Sequence, residues 1–333
     1  MTDVDLDLPA VGQTPRRTAV RRRQVLALNG GGFRGLYTAN ILERAEAEFA
    51  CRAADRFELL IGTSIGGLIA AGLAVGTPAA TIAAKIAEHG PAIFRRVPLW
   101  TRAKQFVFRA PYSATALRRA VVDTIGEDQA ELPLSRLDKP LAICAVNYTH
   151  GRPQTFRSRG LASGGASGQT ILQAVLASAA APTYFPPQTV GQDLMIDGGL
   201  IANAPELLGI SEACGRLGHP LANVYVMAIG TAGRRQGAAL ASIGRPGALS
   251  WLLRRRLLQM TMASQEALAV AQCQTLLRSR YYRVDKEPAQ NQVAAIRDMD
   301  LTSARAVATL RSLAAQSWDE NRGQSAFRSF FQD

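Results

Sequence analysis

LLIGTSIGGL, at residues 59–68, decides the fold of this chain. Its apolar half ends a strand predicted over residues 57–61, and the residues that follow match the G-x-S-x-G pattern of a nucleophile elbow. Gly62 and Gly66 are required because a Cβ two positions before or after the serine would collide with backbone in so tight a turn. The turn sets the Ser64 hydroxyl at the N-terminus of the next helix, whose dipole favours developing negative charge. Because G-x-S-x-G also arises by chance in Gly-rich turns, Ser64 is a candidate nucleophile that needs partners.

A second glycine-rich segment, GGGFRG at residues 30–35, follows a strand predicted over residues 25–29. Its G-x-G-x-x-G spacing is that of a dinucleotide-binding turn, but that motif needs an acidic residue at the end of the second strand, where this chain has Gly62. Three consecutive glycines also expose backbone N–H groups that can bind the oxyanion of an acyl-transfer intermediate. A serine elbow on the neighbouring strand favours this oxyanion hole, with Arg34 fixing the loop through its carbonyls. A tight turn without a ligand is the third interpretation.

Asp197 is the candidate base, because it follows a short strand predicted over residues 194–196 at the same sheet edge. An aspartate in this position is often only a turn former, but the two other motifs give it a partner. Of the three histidines, only His150 follows a strand at this edge, and we interpret it as a loop residue. The sequence therefore predicts a Ser64–Asp197 dyad. An aspartate with a pKa of about 4 is a weak base for a serine, so burial must raise this pKa.

Strands alternate with helices along the chain, which predicts a three-layer α/β fold with a mainly parallel central sheet flanked by helices. The serine and the glycine segment both follow strands, and ligands bind at the carboxyl ends of strands in open α/β sheets. We assign residues 1–24 to a disordered polar and basic tail and residues 25–333 to a single domain with C-terminal helices. Further strands are predicted at residues 141–147 and 224–229, and helices at residues 36–50, 171–180, 249–280 and 303–318.

Composition limits the class of protein. The 333 residues carry 38 Lys plus Arg and 26 Asp plus Glu, a net charge of +12. The four cysteines form no CxxC pair, which argues against a disulfide scaffold and a zinc site. The N-terminus is acidic where a secretory signal would be basic, and no apolar stretch is long enough to span a membrane. We expect a cytoplasmic protein.

Basic residues and aromatics interleave in residues 89–122, which contain no acidic residue. Such a mixture suits an anionic membrane surface, a lid over a lipid site or, equally, a solvated cationic segment. A second group of arginines lies within residues 234–256, where it could be solvated or bind phosphate. No helix-turn-helix, finger or RNA-binding signature is present, so we expect no nucleic acid polymer as a partner.

The three motifs together resemble the patatin-like phospholipase family in order and spacing, over about residues 25–284. Residues 178–187 and Asn203-Ala204-Pro205 resemble it too. The resemblance implies hydrolysis of acyl esters, chiefly of phospholipids and other lipids, by Ser64 as nucleophile and Asp197 as general base, with no metal or other cofactor. Asn29 departs from the aspartate that usually precedes the glycines, which puts the anchoring of the loop in question. The oxyanion site implied is Gly30, Gly31, Gly32 and Arg34, and the motif glycines are Gly35, Gly62, Gly66, Gly198 and Gly199.

The size of the chain and its segment Arg280–Val284 also resemble bacterial patatin-like effectors of cyclic-oligonucleotide antiphage signalling (CBASS). That resemblance implies phospholipids of the inner membrane as the target and a cyclic dinucleotide as the activator, with Phe94, Trp100, Phe106 and Tyr112 available to stack on its bases. A non-lipid serine esterase or thioesterase, a lipid-binding module with a spent site and a nicotinamide-binding protein stay open as alternatives. The oligomeric state, the acyl position and the head group are open as well.

Overall fold

A mixed β-sheet forms the centre of the molecule in the computed structural model, which describes residues 22–95, 110–161, 167–233 and 257–332. The strands are β1 (Arg23–Leu28), β2 (Leu59–Thr63), β3 (Leu141–Asn147), β4 (Arg152–Arg157), β5 (Gln188–Val190), β6 (Asp193–Asp197), β7 (Val224–Ile229) and β8 (Tyr281–Val284). Their order is β5-β6-β3-β2-β1-β7-β8, and β4 pairs with β3 as well.

The middle of the sheet is parallel and buried. β1 pairs in parallel with β2 and β7, β2 with β3, and β7 with β8. Every residue of β2 is buried, as expected for a strand covered on both faces. The antiparallel pairs are confined to one end of the sheet, where β3 pairs with β4 and β6, and β5 with β6. The prediction of a mainly parallel sheet is confirmed.

Helices cover both faces of the sheet. Because side chains alternate along a strand, Leu26 and Leu28 of β1 lie in one apolar core and Val25 and Ala27 lie in the other. The helices are α1 (Gly35–Glu48), α2 (Ala53–Arg56), α3 (Ile65–Ala74), α4 (Ala79–Ile93), α5 (Ala114–Ile125), α6 (Glu127–Ala130), α7 (Ile171–Ser178), α8 (Gly199–Ala202), α9 (Glu206–Gly215), α10 (Leu257–Leu277), α11 (Gln290–Ile296), α12 (Ala304–Asn321) and α13 (Ser325–Arg328).

The predicted tail overlaps the first strand. β1 begins at Arg23, so the segment assigned to residues 1–24 includes its first two residues; residues 1–21 lie outside the described part. The predicted helix at residues 249–280 is α10, and residues 249–256 lie outside the described part. The strands β4, with its polar sequence RPQTFR, β5, with three residues, and β8, with four residues, were not predicted.

Candidate active site

Ser64 occupies the turn between β2 and α3 with φ 55° and ψ −121°. This is a conformation that non-glycine residues rarely adopt and that functional turns retain. A Cβ on Gly62 would lie 2.2 Å from the carbonyl oxygen of Gly66, and one on Gly66 would lie 2.2 Å from that of Leu28. The two glycines therefore permit the turn. This agrees with the prediction that a Cβ at either position would collide with backbone.

A buried serine on another helix fixes the backbone of the elbow. The N–H of Ser64 donates to Oγ of Ser178 at 2.7 Å, and this hydroxyl donates to the carbonyl of Cys144 on β3 at 2.5 Å. Ser178 is the last residue of α7 and is fully buried. The sequence predicts no role for Ser178, which lies within the segment 178–187 that resembles the family. Its contacts join residues 114 and 34 positions away, a distance that no local pattern spans.

Strand register explains how Asp197 reaches Ser64. On β3, Cys144 lies opposite Thr63 of β2, and the next residue, Ala145, lies opposite Asp197 of β6. β4 pairs with β3 along Ala142–Asn147, so β2 and β6 share the other edge of β3. β2 runs parallel to β3 and β6 runs antiparallel to it, so their carboxyl ends face each other. Ser64 and Asp197 stand at that junction.

Burial gives the Asp197 carboxylate the basicity that a dyad needs. Asp197 is 5% exposed. Burial raises its pKa to about 7, although the backbone N–H of Gly199 and a side-chain hydrogen bond with Ser64 both act to lower it. The Gly199 bond is 2.6 Å long and ends on Oδ1 of the carboxylate. A base with a pKa near neutrality can accept the serine proton at neutral pH and return it to a leaving group.

The glycine loop presents two of its amides rather than three. The N–H of Gly30 donates to the carbonyl of Asn203 at 3.0 Å, and the N–H of Phe33 donates to the carbonyl of Met299 at 2.8 Å. For the amides of Gly31 and Gly32 the described residues supply no acceptor. Gly32 has a φ of 58°, and a Cβ there would lie 2.6 Å from the Met299 carbonyl oxygen. The amides of Gly31 and Gly32 are therefore the two that the loop leaves available to a ligand, and the Gly30 amide serves as an anchor.

Arg34 lies beneath the loop. Its Nε donates to the carbonyl of Gly31 at 3.4 Å, the kind of contact that the sequence suggested. Burial lowers the pKa of the guanidinium, and the carboxylates of Glu266 and Asp285 act to raise it. The half-buried arginine thus carries its positive charge under the glycine loop, next to two carboxylates.

His150 stands away from the dyad. It pairs with Asp193 through an Nε2–Oδ1 distance of 3.1 Å, and its side chain is 52% exposed. It lies outside both cavities that reach Ser64. Asp197, and not His150, is therefore the group that the fold places against the serine.

Two cavities meet at Ser64. The larger has a volume of about 810 Å³, and Asp197 and Arg34 are in its lining together with side chains of α10. The narrower, about 60 Å³, runs between α3, α4, α5 and α7 and is almost entirely apolar. Apolar side chains lining the narrow cavity include Phe33, Ile65, Leu68, Ile86, Ile93, Phe94, Leu117, Val175, Phe185 and Met299.

Two aromatics of the basic segment belong to the core. Phe94 and Tyr112 are buried, pack edge to face with a ring-centroid distance of 5.3 Å, and both contact Phe185. They are not exposed for stacking on a ligand, contrary to the expectation from the sequence. Residues 96–109, with Trp100 and Phe106, and the arginine group within residues 234–256 lie outside the described part.

The described residues contain no group of three or more His, Cys, Asp or Glu side chains that could hold a metal ion. No helix among them combines the length and apolar character needed to cross a membrane.

Comparison with known proteins gives consistent matches. The family model described as patatin-like phospholipase matches residues 26–210. A cGAMP-activated phospholipase of Pseudomonas aeruginosa is 32% identical over 94% of this chain and 93% of its own length. One from Vibrio cholerae is 28% identical over 91% of this chain and 94% of its own length. A cUMP-AMP-activated phospholipase of Escherichia coli is 30% identical over 62% of this chain and 64% of its own length.

Proposed function

Since the chain belongs to the patatin-like phospholipase family, whose members are serine hydrolases of lipid esters, we propose that Ser64 and Asp197 perform that hydrolysis here. One observation carries the assignment of roles. The Ser64 hydroxyl, held at the tip of a strained elbow, stands where the carboxyl ends of β2 and β6 meet, beside a buried carboxylate whose pKa lies at about 7. A nucleophile thus lies next to a base that is suited to take its proton.

The reaction follows from this geometry. Oγ of Ser64 attacks the ester carbonyl carbon, and Asp197 takes the hydroxyl proton. The amides of Gly31 and Gly32, with the N-terminus of α3, stabilise the tetrahedral oxyanion. Collapse breaks the ester bond, and the leaving alcohol takes the proton from Asp197, which leaves an acyl-serine. Water then attacks the acyl-serine with Asp197 again as base, the fatty acid departs, and the proton returns to Ser64.

The shape of the site supports a lipid as the substrate. The narrow apolar cavity starts at Ser64 and has the lining that an acyl chain prefers over water. The larger cavity, with charged side chains in its wall, has room for the glycerol and the head group. A non-lipid ester or thioester would leave the apolar cavity unfilled, so this alternative is less favoured.

We propose the inner membrane surface as the place of action and a cyclic dinucleotide as the activator. The net charge of +12 suits anionic lipid. The named relatives from three bacteria are phospholipases activated by cGAMP or cUMP-AMP, and two of them align over most of this chain. An activator works only to the extent that it binds the active state more tightly than the inactive one.

Fatty-acid release from anionic phospholipid vesicles tests this function. We expect release by the wild type to rise at least tenfold with one member of a panel containing cGAMP, cUMP-AMP and cyclic trinucleotides. A fluorophosphonate probe should label the wild type and not Ser64→Ala. Full release that no cyclic nucleotide changes would make the chain a constitutive lipase. Labelling without release from any phospholipid would favour a non-lipid esterase.

A further inference from the structure

The helix α10 forms one wall of the larger cavity. Met262 and Glu266 on this helix are in the cavity lining, and Cys273 and Leu277 near its end are buried. The helix packs against α8 and α9. The Met262 methyl carbon lies 2.7 Å from where a Cβ on Gly199 would be, so the helix closes directly over the residues after the general base.

The Glu266 carboxylate makes three hydrogen bonds beneath this helix. Oε1 accepts from Nδ2 of Asn29 at 3.1 Å and from Nη2 of Arg283 at 2.7 Å. Oε2 accepts from Nδ2 of Asn203 at 3.0 Å. Both carboxylate oxygens are therefore committed, and each is held by at least one amide.

Both asparagines belong to the support of the glycine loop. Asn29 immediately precedes Gly30, and its N–H donates to the Ile229 carbonyl at 3.1 Å. Its side-chain Oδ1 has no partner among the described residues, so the Glu266 bond is what orients this amide. Asn203 accepts the Gly30 N–H on its backbone carbonyl, and its side-chain Oδ1 would lie 2.5 Å from a Cβ on Gly30.

We propose that Glu266 is a positioning residue that holds the oxyanion loop from α10, by fixing Asn29 and Asn203 on either side of Gly30. This inference rests on the proposed function, because it assumes that Gly31 and Gly32 bind the oxyanion. It also assigns a reason to the asparagine at position 29. The amide can donate to Glu266, whereas an aspartate there would set a carboxylate against a carboxylate.

The charged side chains around Glu266 make its contact with position 29 sensitive to an added negative charge. Arg283 already faces three carboxylates, those of Glu206, Glu266 and Asp285. Burial alone would lower the pKa of Arg283, but these carboxylates raise it well above its ordinary value. A fourth carboxylate at position 29 would therefore meet no uncommitted positive charge at Arg283, and repulsion would displace the loop.

The test exchanges donor and acceptor between the two positions. We expect Asn29→Asp to lower kcat for p-nitrophenyl butyrate at least tenfold, with KM changed less than twofold, because the lost contact acts on the oxyanion. The double variant Asn29→Asp/Glu266→Gln should recover kcat to within threefold of the wild type. Its glutamine can donate from Nε2 to the new aspartate while its Oε1 accepts from Asn203. Glu266→Gln alone should lower kcat, since three donors then face one acceptor oxygen.

A second measurement separates positioning from general structure. Affinity for a trifluoromethyl ketone, whose adduct mimics the oxyanion, should fall with kcat in Asn29→Asp and recover in the double variant. Asn291→Asp and Glu48→Gln make the same charge changes at exposed positions and should leave kcat unchanged.

Two outcomes would overturn the proposal: a double variant no faster than Asn29→Asp at equal unfolding temperature, or Glu266→Gln with wild-type kcat. If Asn29→Asp does not fold, the kcat of Glu266→Gln alone still tests the proposal. A wild type that hydrolyses no ester under any condition would instead contradict the proposed function.

Discussion

Asp197 combines two properties that usually oppose each other. Its carboxylate is buried, which disfavours the charged form, yet the Gly199 amide, which donates to it, and the neighbouring Ser64 side chain both favour that form. Burial is the larger effect and leaves the pKa at about 7. An aspartate can therefore do the work that a histidine does in other serine hydrolases.

Substitution of the dyad should abolish catalysis without unfolding the chain. Asp197→Asn keeps the shape of the side chain and removes the base, so we expect the rate of fatty-acid release to fall on the order of 10³-fold or more. Ser64→Ala should show no release. Asp193→Asn is the matched control, because Asp193 lies on the same strand and pairs with His150 outside the cavities. Asp197→Asn activity close to the wild type would remove Asp197 from the mechanism.

The pH dependence of kcat/KM should report the raised pKa. Only the deprotonated carboxylate can take the serine proton, so kcat/KM should rise with pH through about 7 and level off above it. A short-chain ester in the absence of vesicles keeps lipid charge out of the measurement. A profile that is flat between about pH 5 and pH 9, two units on either side of the pKa, would contradict the assignment.

Stability should change with pH in the opposite direction. The pKa of Asp197 is about 7 in the folded chain, against an ordinary value of 3.8. Between these values the folded state holds a proton that the unfolded state has released, so this group makes the free energy of unfolding fall as pH rises from about 4 to 7. Urea unfolding of the wild type and of Asp197→Asn across this range measures it. Equal slopes for the two proteins would show that Asp197 is not the group responsible.

At the scale of elements, the sequence predicted the turns better than the strands that bring them together. Ser64, Asp197 and the glycines sit in short motifs whose chemistry can be recognised locally. The antiparallel direction of β6 could not be predicted, because it depends on pairing with β3 across about fifty residues. Ser178 and Glu266 were missed for the same reason: each acts through contacts with residues far along the chain.

Ser178 on α7 offers a test of how far the elbow depends on its neighbours. Ser178→Ala removes the acceptor of the Ser64 N–H, which is partly buried, and the donor to the Cys144 carbonyl, which is buried. We expect a loss of about 1–3 kcal/mol in the free energy of unfolding and a lower kcat, because the elbow backbone is no longer fixed. Ser303→Ala, which removes the N-cap of α12, should cost about 1 kcal/mol and leave kcat unchanged. Wild-type kcat in Ser178→Ala would show that the elbow keeps its conformation without the hydrogen bonds of Ser178.

For the whole molecule, aromatic residues of the C-terminal helices pack into the same apolar core as the helix that follows Ser64. Phe331 stacks on Phe49, the residue that follows α1, at a ring-centroid distance of 5.3 Å and meets Phe57 edge to face at 5.9 Å. These side chains lie in the same apolar core as Leu68 of the elbow helix. This continuity supports the proposal that residues 25–333 form one domain, since the C-terminal helices share their core with the site.

The charge of the whole molecule leads to a prediction about membranes. With a net charge of +12, the chain should bind anionic vesicles more tightly than zwitterionic ones, and binding should weaken as salt is raised. Reversing the charge at Arg95, Arg96 and Arg102 should weaken it further if the segment of residues 89–122 faces the lipid. Reversal at Arg305 and Arg311 on α12 is the control, because these positions are exposed elsewhere on the molecule, and losses are compared per reversed charge, since this control lowers the net charge by about four and the three reversals by about six. Equal losses from both sets would assign binding to the overall charge, and equal binding to both vesicle types at low salt would leave the basic segment a solvated surface.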